Sequence, residues 1–571
     1  MASADFASCV LKHTERYFQH DKKTAGTLDD LLKRLSDPRN SQALPVTVDL
    51  SDPISHYYVS SSHNTYLTGN QLWSKSSTTA YKEVLKRGCR CIEVDVWDGG
   101  SPSNSHSSSS SENDDTGSTK ETADVNTLTG MLQKGLGRIR SNEAKQDDNK
   151  AESATPDKDE ALMPAPWRVL SDREEPRVYH GYTATKEITF RSVCEVVRDY
   201  AFVSTDLPLI VSLEVHCSHE QQAVMVEIMV DYWKQLLVPV PPGFSDETAL
   251  PPLSDLKNKI LIKVKYSPPK KKHRKHHPDK DEDEEDQVGP AAKGKIIPEL
   301  SQLGVYVRSC HFDSLDQPEA KMPTHIFALS ESKIISLLED NRQGLFDHNL
   351  NYFMRAYPKG TRIRSTNLDP GPFWRQGIQI VALNWQQMNA AMMMNYAMFA
   401  DTGGWVKKPT GYLPTKDGTV PPVKRIGFDL TIRLLAAQNL DAEKSSPPNV
   451  YIKAEIHNES EAEIEAGSIP KGGKNKGGEW KRKSAVHQSK NPDFDGETLE
   501  FKGVAGVIPE LSFIRIKLMD DDAFQKDRLI GWLCFRIDRF PEGLRFLPLI
   551  GPDASVTAGA LLIDSHMVKW P

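Results

Sequence analysis

From position 56 onward, short apolar runs alternate with amphipathic stretches, and this alternation narrows the fold of the 571-residue chain more than any other feature. The runs 56–60, 89–97, 177–180, 209–216 and 259–266 read as strands, and 79–87, 189–202 and 219–237 between them as helices. Such a succession predicts parallel βα units, an α/β architecture in which helices cover a parallel sheet. It resumes with strands at 304–310 and 379–385 around a helix at 331–341. The Met-rich segment 390–400 falls short of the roughly 18–20 apolar residues of a membrane span and reads as a buried helix. Beyond Arg425 the texture changes. Short runs at 428–435, 449–456, 498–501, 513–519, 531–537 and 560–568, separated by turns, predict an antiparallel β-sandwich.

Two segments interrupt this order. Residues 101–164, which include the serine run Ser107 to Ser111, bury too little apolar surface to offset ordering entropy and read as a disordered insertion. Residues 267–295 pass from KKKHRKHH to DKDEDEED. They read as a solvated linker, with a regulatory or membrane-contacting segment as the alternative. The chain thus divides into a helical segment (1–45), a first βα half (46–266) holding the insertion, the charged linker, a second βα half (296–415) and the sandwich (424–571).

Several apolar runs end on residues that are expensive to bury. SSHNTYL supplies His63 and Asn64, CRCIEVDVWDG supplies Glu93 and Asp95, VYHGYT supplies His180, and LIVSLEVHC supplies Glu214. Singly, each has an ordinary explanation as a satisfied histidine or a solvated strand face. In a βα barrel, however, strand ends on one rim converge where active sites form. Asn64, Glu93, Asp95 and Glu214 offer only oxygen, which suits Ca²⁺ better than zinc. Crowded carboxylates also raise one another's pKa unless a cation neutralises them. Two histidines free of the metal fit acid–base chemistry near neutral pH.

Taken in order, these motifs resemble the eukaryotic phosphoinositide-specific phospholipase C family, delta-like, and LSESK, RAYPKGTR and GIQIVALNW extend the match into the second half. The resemblance implies a TIM-like (β/α) barrel split into X and Y halves, followed by a C2 sandwich. It implies that His63 stabilises phosphoryl oxygens, that His180 protonates the leaving diacylglycerol oxygen, and that Asn64, Glu93, Asp95 and Glu214 bind Ca²⁺. Asp95 or Glu214 would double as the base for the inositol 2-hydroxyl. Lys263, Lys265 and Arg355 would hold ring phosphates, Tyr357 would pack on the ring, and Ser330 would join the substrate site. A cyclic phosphodiester would form on the way to inositol phosphate. The competing readings are a catalytically silent phosphoinositide-binding scaffold and a barrel phosphodiesterase with another substrate, which would leave the two lysines and Arg355 without a phosphorylated ring.

Family members often begin with a PH domain and EF-hands, and the short stretch before the X half leads us to expect neither a PH domain nor a full EF-hand set. The family's apolar membrane ridge maps to Leu72, Tyr182 and Ile335, whereas Ala184 and Thr361 are small or polar, which predicts weak insertion. Asp520, Asp522 and Asp527 stand at C2-like calcium spacing, but Asn449 replaces a usual aspartate, so calcium binding there is left open. The lysine-rich loop 471–483 is equally consistent with attraction to anionic lipid and with plain solvation. A net charge of -7 gives no global reason to expect nucleic acid. Seven cysteines without metal spacing, and no apolar leader, predict a cytoplasmic protein with reduced thiols. It is expected to be a monomer that associates peripherally with phosphoinositide membranes; protein activators are not legible.

Overall fold

The computed structural model describes residues 6–20, 27–37, 43–99, 174–266, 296–441, 445–459, 480–521 and 526–570. The expected insertion at 101–164, the charged linker, Asp522 and most of the lysine-rich loop lie outside the described residues.

Eight parallel strands form the first unit of the fold: β1 (Tyr57–Ser62), β2 (Cys91–Trp97), β3 (Leu209–Val215), β4 (Ile260–Lys263), β5 (Arg308–Cys310), β6 (His325–Ser330), β7 (Phe353–Tyr357) and β8 (Ile380–Leu383). Pairing runs from β5 through β8 to β1 and on to β4. A single parallel bridge between Lys265 and Ser309 closes the ring. There the Ser309 N–H donates to the Val264 carbonyl at 2.9 Å and the Tyr266 N–H to the Ser309 carbonyl at 2.8 Å. Closure removes the exposed edges of the sheet. This thin seam falls where the two sequence halves meet.

Strands of such a barrel are covered by helices outside and by packed side chains inside, so they read as continuous burial rather than alternation. Every residue of β1, β4 and β8 is buried. Each of the longer following helices starts at a residue whose side chain accepts a backbone N–H that would otherwise lack a partner. Ser77 caps Thr78–Lys86, Thr189 caps Phe190–Tyr200, Ser218 caps His219–Trp233, Ser330 caps Glu331–Asn351 and Asn389 caps Ala390–Phe399.

The expected strand at 177–180 is not part of the barrel. Only Arg177–Val178 is extended, and it pairs antiparallel with the end of β2 and with Ile188–Thr189, forming a small sheet on the rim. Conversely, β6 and β7 were not visible in the pattern, since β7 carries Arg355 among apolar residues and β6 opens on His325. The helix after β6 reaches Asn351, past the expected 341, through a local break at Asn341 (φ −152°).

The C-terminal sandwich is antiparallel throughout, with long strands Ile426–Gln438, Asn449–His457, Asp493–Val507, Phe513–Asp520, Arg528–Arg536, Gly543–Ile550 and Val556–Trp570. Phe428, Ile432, Ile452, Phe501, Ile516 and Leu561 lie in its core. Helices Ser8–His20 and Leu28–Ser36 pack Val10, Leu31 and Leu35 against Leu435, Phe546 and Leu562 of the sandwich. The sandwich in turn meets the barrel where the Trp374 and Phe513 rings lie 5.7 Å apart. The seven cysteines are all unpaired. Among the described residues no helix is long and apolar enough to cross a membrane.

Candidate active site at the barrel mouth

The barrel register brings the acidic residues together. Asp95 of β2 lies beside Glu214 of β3, and Glu93 beside Ser212. Glu93, Asp95 and Glu214 can each direct a carboxylate oxygen to within 4.8 Å of the others. After β1 the chain turns sharply at Asn64, whose φ of +43° lies in the left-handed region that asparagine tolerates better than most residues. The turn lets the Asn64 N–H donate to Glu93 Oε2 at 3.0 Å. Asp95 Oδ2 accepts from the Tyr66 hydroxyl at 2.5 Å. Its Oδ1 is buried without a hydrogen-bond partner.

Burial, then the charges of Glu214 and Glu93, push the Asp95 carboxyl well above its ordinary pKa. At Glu214 burial pushes the same way, but the hydrogen bond from His216 at 2.9 Å and its charge outweigh it, so that carboxyl sits below its ordinary value. Its side chain is 57% exposed to the cleft, so solvent also screens it.

The two histidines are held alike. The His180 Nδ1 lies 2.8 Å from the Gln71 carbonyl, which can only accept, so Nδ1 carries the proton and Nε2 is left to the cleft. The His63 Nδ1 lies 3.0 Å from Asn384 Oδ1, and the other end of that amide donates to the Thr366 carbonyl at 3.2 Å. The same tautomer follows for His63. Burial is the main cause lowering both imidazoles below the ordinary histidine value, and Glu93 opposes it in each. The turn that carries His180 needs its glycine, because a Cβ on Gly181 would sit 1.9 Å from the Trp97 ring. Trp97 in turn stacks on His216 at 4.1 Å, so one ring braces both the His180 turn and the partner of Glu214.

Behind the carboxylates lie the expected cations. Arg355 donates to Glu93 Oε1 at 2.7 Å, with both side chains buried. Burial would lower the guanidinium, but the charge of Glu93 outweighs it and holds Arg355 above its ordinary value. Arg355, expected at a ring phosphate, thus commits its Nη2 to a buried ion pair, while its Nε has no hydrogen-bond partner. Lys263 is also buried and donates to Ser212 Oγ at 3.2 Å. Burial, with Arg355 adding to it, lowers its ammonium to about 8. Lys265 is exposed at the barrel seam. Tyr357 lies parallel to His63 with ring centres 6.5 Å apart, and Ser330 is its register partner on β6.

The donor set fits a hard divalent cation. Three carboxylates converge, one of them has a buried oxygen with no partner, and its raised pKa marks charge that the protein alone does not neutralise. Asn64 could add an amide oxygen from beside Glu93.

Comparison with known proteins agrees with this geometry. Residues 50–266 match the phosphatidylinositol-specific phospholipase C X domain and residues 300–411 its Y domain, while 428–546 match the C2 domain. The chain belongs to the phosphatidylinositol-specific phospholipase C family. It is 28% identical over 555 residues to the Danio rerio 1-phosphatidylinositol 4,5-bisphosphate phosphodiesterase delta-3-A, covering 93% of this chain and 59% of that one. It is 27% identical over 546 residues to the Homo sapiens inactive phospholipase C-like protein 2, covering 90% and 40%. The crystal structure of S. officinalis PLC21 superposes with a TM-score of 0.67 at 24% identity, over 98% of this chain and 62% of that one. The chain therefore spans less than two thirds of each of these relatives.

Around the barrel mouth, the expected ridge is only partly exposed. Tyr182 is 99% exposed, but Leu72 and Ile335 are half-buried. Trp73, which the motif comparison missed, is 61% exposed on a loop tied to the Tyr182 turn by the Ala184 N–H to Leu72 carbonyl bond at 2.9 Å. Its signal was a tryptophan amid polar residues of a loop. Tyr66, Gln71 and Asn384 were also missed, although all three lie within or just beyond the quoted motifs. In the C2 domain, Asp520 accepts from Arg528 at 2.9 Å and from the Asn449 N–H at 2.9 Å, and Asp527 accepts from the Tyr451 hydroxyl.

Proposed function

We propose that the chain is a calcium-dependent phospholipase C acting on phosphatidylinositol 4,5-bisphosphate and related lipids. Its products would be diacylglycerol and inositol trisphosphate, formed through a cyclic phosphodiester. The observation that carries this reading is the convergence on one cleft of two imidazoles, each with Nδ1 committed and Nε2 available, and a carboxylate cluster with an unpartnered buried oxygen.

Glu214, ionised and reachable, is the base that takes the proton of the inositol 2-hydroxyl, with Asp95 kept as a ligand. The 2-oxygen attacks phosphorus and the bond from phosphorus to the glycerol oxygen breaks. His180, charged through Nε2, gives that oxygen its proton, while His63, which holds its first proton on Nδ1, takes a second at Nε2 as the phosphoryl charge develops and donates it in a hydrogen bond to a phosphoryl oxygen. Because the nucleophile belongs to the substrate, orientation supplies much of the acceleration. Water then opens the cyclic phosphodiester with the two proton carriers exchanging roles. Calcium held by Asn64, Glu93, Asp95 and Glu214 would lower the pKa of the attacking hydroxyl and offset charge on the phosphoryl group. Lys263, Lys265 and Arg355 hold ring phosphates, Tyr357 packs on the ring and Ser330 lies beside it. Tyr182 and Trp73 contact the bilayer, and the protein works as a peripheral, cytoplasmic monomer.

The scaffold reading draws support from the relative named as inactive. Against it stands the retention here of His63, His180 and the carboxylates. On mixed phosphoinositide vesicles the purified protein releases soluble inositol phosphate with calcium and stops with chelator. His63→Ala or His180→Ala each lowers turnover by about 10²–10⁴-fold with calcium binding retained. Turnover left intact by either substitution removes that histidine from the mechanism, and no release by the parent protein leaves the scaffold.

A further inference from the structure

An amide side chain is nearly symmetric in shape but not in chemistry, since its oxygen can bind a cation and its nitrogen repels one. Something must therefore turn Asn64 the right way. The Asn64 Nδ2 donates to Gln71 Oε1 at 2.8 Å, which leaves Oδ1 on the opposite edge. Gln71 is itself oriented from the second half of the barrel: its Nε2 donates to Ser365 Oγ at 2.9 Å and to Asn384 Oδ1 at 3.2 Å. Neither acceptor can reverse its role easily. Ser365 gives its own proton to the Gly69 carbonyl at 2.7 Å, and Asn384 donates through Nδ2 to the Thr366 carbonyl at 3.2 Å. Carbonyls only accept, so the direction of every bond back to Asn64 is fixed. Gln71 is 7% exposed, and its backbone is tied across the halves as well, its N–H donating to the Ile363 carbonyl at 3.0 Å.

We propose that Gln71 is a positioning residue that turns the Asn64 amide so that its oxygen faces the carboxylate cluster, using a bracket of hydrogen bonds shared by the X and Y halves. This rests on the calcium-centre reading above. The same bracket receives the Nδ1 proton of His63 at Asn384, so a single buried side chain registers a metal ligand and an imidazole against each other.

The test is direct calcium binding by the full chain, read by calorimetry and by terbium luminescence, alongside melting without metal. Gln71→Met fills the space but neither accepts nor donates, and is expected to weaken calcium by about tenfold or more, the usual consequence of losing an outer partner of a ligand. Gln71→Glu still accepts from Asn64 but sets its second oxygen against Ser365 Oγ and Asn384 Oδ1, which do not donate, and is expected to melt lower than the parent yet bind calcium more tightly than Gln71→Met. In an Asn64→Asp background, where both carboxylate oxygens are equivalent, Gln71→Met is expected to change calcium affinity less than twofold. A merely structural glutamine would lower melting in all three cases and leave affinity unmoved. If the parent binds and Gln71→Met binds within twofold of it, or if the loss persists in the Asn64→Asp background, the positioning role is overturned while the calcium centre stands. If the parent does not bind, both fall. Should Gln71→Met not fold, Gln71→Asn, a methylene too short to reach Asn64, carries the same expectation.

Discussion

The barrel mouth and the C2 loops both gather aspartates, yet the two regions differ in what those aspartates have left to give. In the sandwich, Asp520 has a donor on each oxygen, from Asn449 and Arg528, and Arg528 also bonds Asp441. Asp527 is taken by Tyr451. In the barrel, Asp95 has one donor, Tyr66, and one buried oxygen with none. A count of carboxylates would rank the two regions alike. Unspent acceptor capacity in a dry setting separates them, because a buried oxygen with no partner carries a free-energy penalty that a cation removes.

The sharpest way to break this contrast is to make the same change in both regions. Asp95→Asn keeps shape and the Tyr66 contact but removes charge. It should abolish stoichiometric calcium binding in the barrel and lower turnover by about 10³-fold, the worth of several kcal/mol at 1.36 kcal/mol per decade. Asp520→Asn should leave the calcium requirement for turnover within twofold. Equal effects in paired titrations would mean that partner count is not what distinguishes the sites.

A second contrast concerns which region meets the bilayer. Trp73 and Tyr182 stand at the mouth with 61% and 99% of their surface exposed, whereas the sandwich exposes Val556 at 80%. Burying a large apolar side chain contributes about 1.5–3 kcal/mol, so Trp73→Ala and Tyr182→Ala should each weaken partitioning to anionic vesicles by about tenfold. Val556→Ala, measured by the same sedimentation assay, should change it little. Half-buried Leu72 should fall between. A larger loss at Val556 than at Trp73 would shift the lipid contact to the sandwich.

How much of this was legible depends on how each feature is encoded. The longer helices were visible as amphipathic or apolar stretches between the strand runs, and the sandwich as short runs separated by turns, whereas the five-residue helices Pro298–Gln302 and Pro370–Trp374 are too short to show a period. The strands β6 and β7 were not, since His325 and Arg355 break an apolar run for reasons found only in the barrel interior. His180 was singled out, but its setting was not: the expected strand 177–180 shortens to Arg177–Val178, and the residue rides a rim turn fixed by Gly181 against Trp97, a contact between segments far apart in sequence. The carboxylates and imidazoles stood out because their types are expensive to bury. Gln71 and Asn384 carry no such mark, since a buried amide announces itself only through its partners. The engagement of Arg355 with Glu93 was likewise hidden, because charge on a strand says nothing of which strand will lie opposite.

The smallest expected effect comes from the other cluster of metal-capable groups among the described residues, His13, Asp493 and Asp495, which resembles the barrel site in composition but not in use. Asp493 accepts from Lys12 at 2.7 Å and lies 2.6 Å from His13 Nε2, pinning helix Ser8–His20 to the sandwich. Burial would raise the Asp493 carboxyl, but His13 and then Lys12 outweigh it and hold it down at about 2. A depressed carboxylate stabilises the fold fully above its unfolded pKa of about 3.9, and that contribution is lost as pH falls through about 2. Asp493→Asn should therefore lower the melting temperature at neutral pH by only a degree or two, since a partly exposed pair is worth about 1 kcal/mol or less. The gap to the parent should close between about pH 4 and pH 2, and added salt should narrow it at neutral pH. Calcium binding and turnover should not change. A loss of either on Asp493→Asn would show that the helix and the barrel are energetically linked, and that the two acidic clusters are not independent.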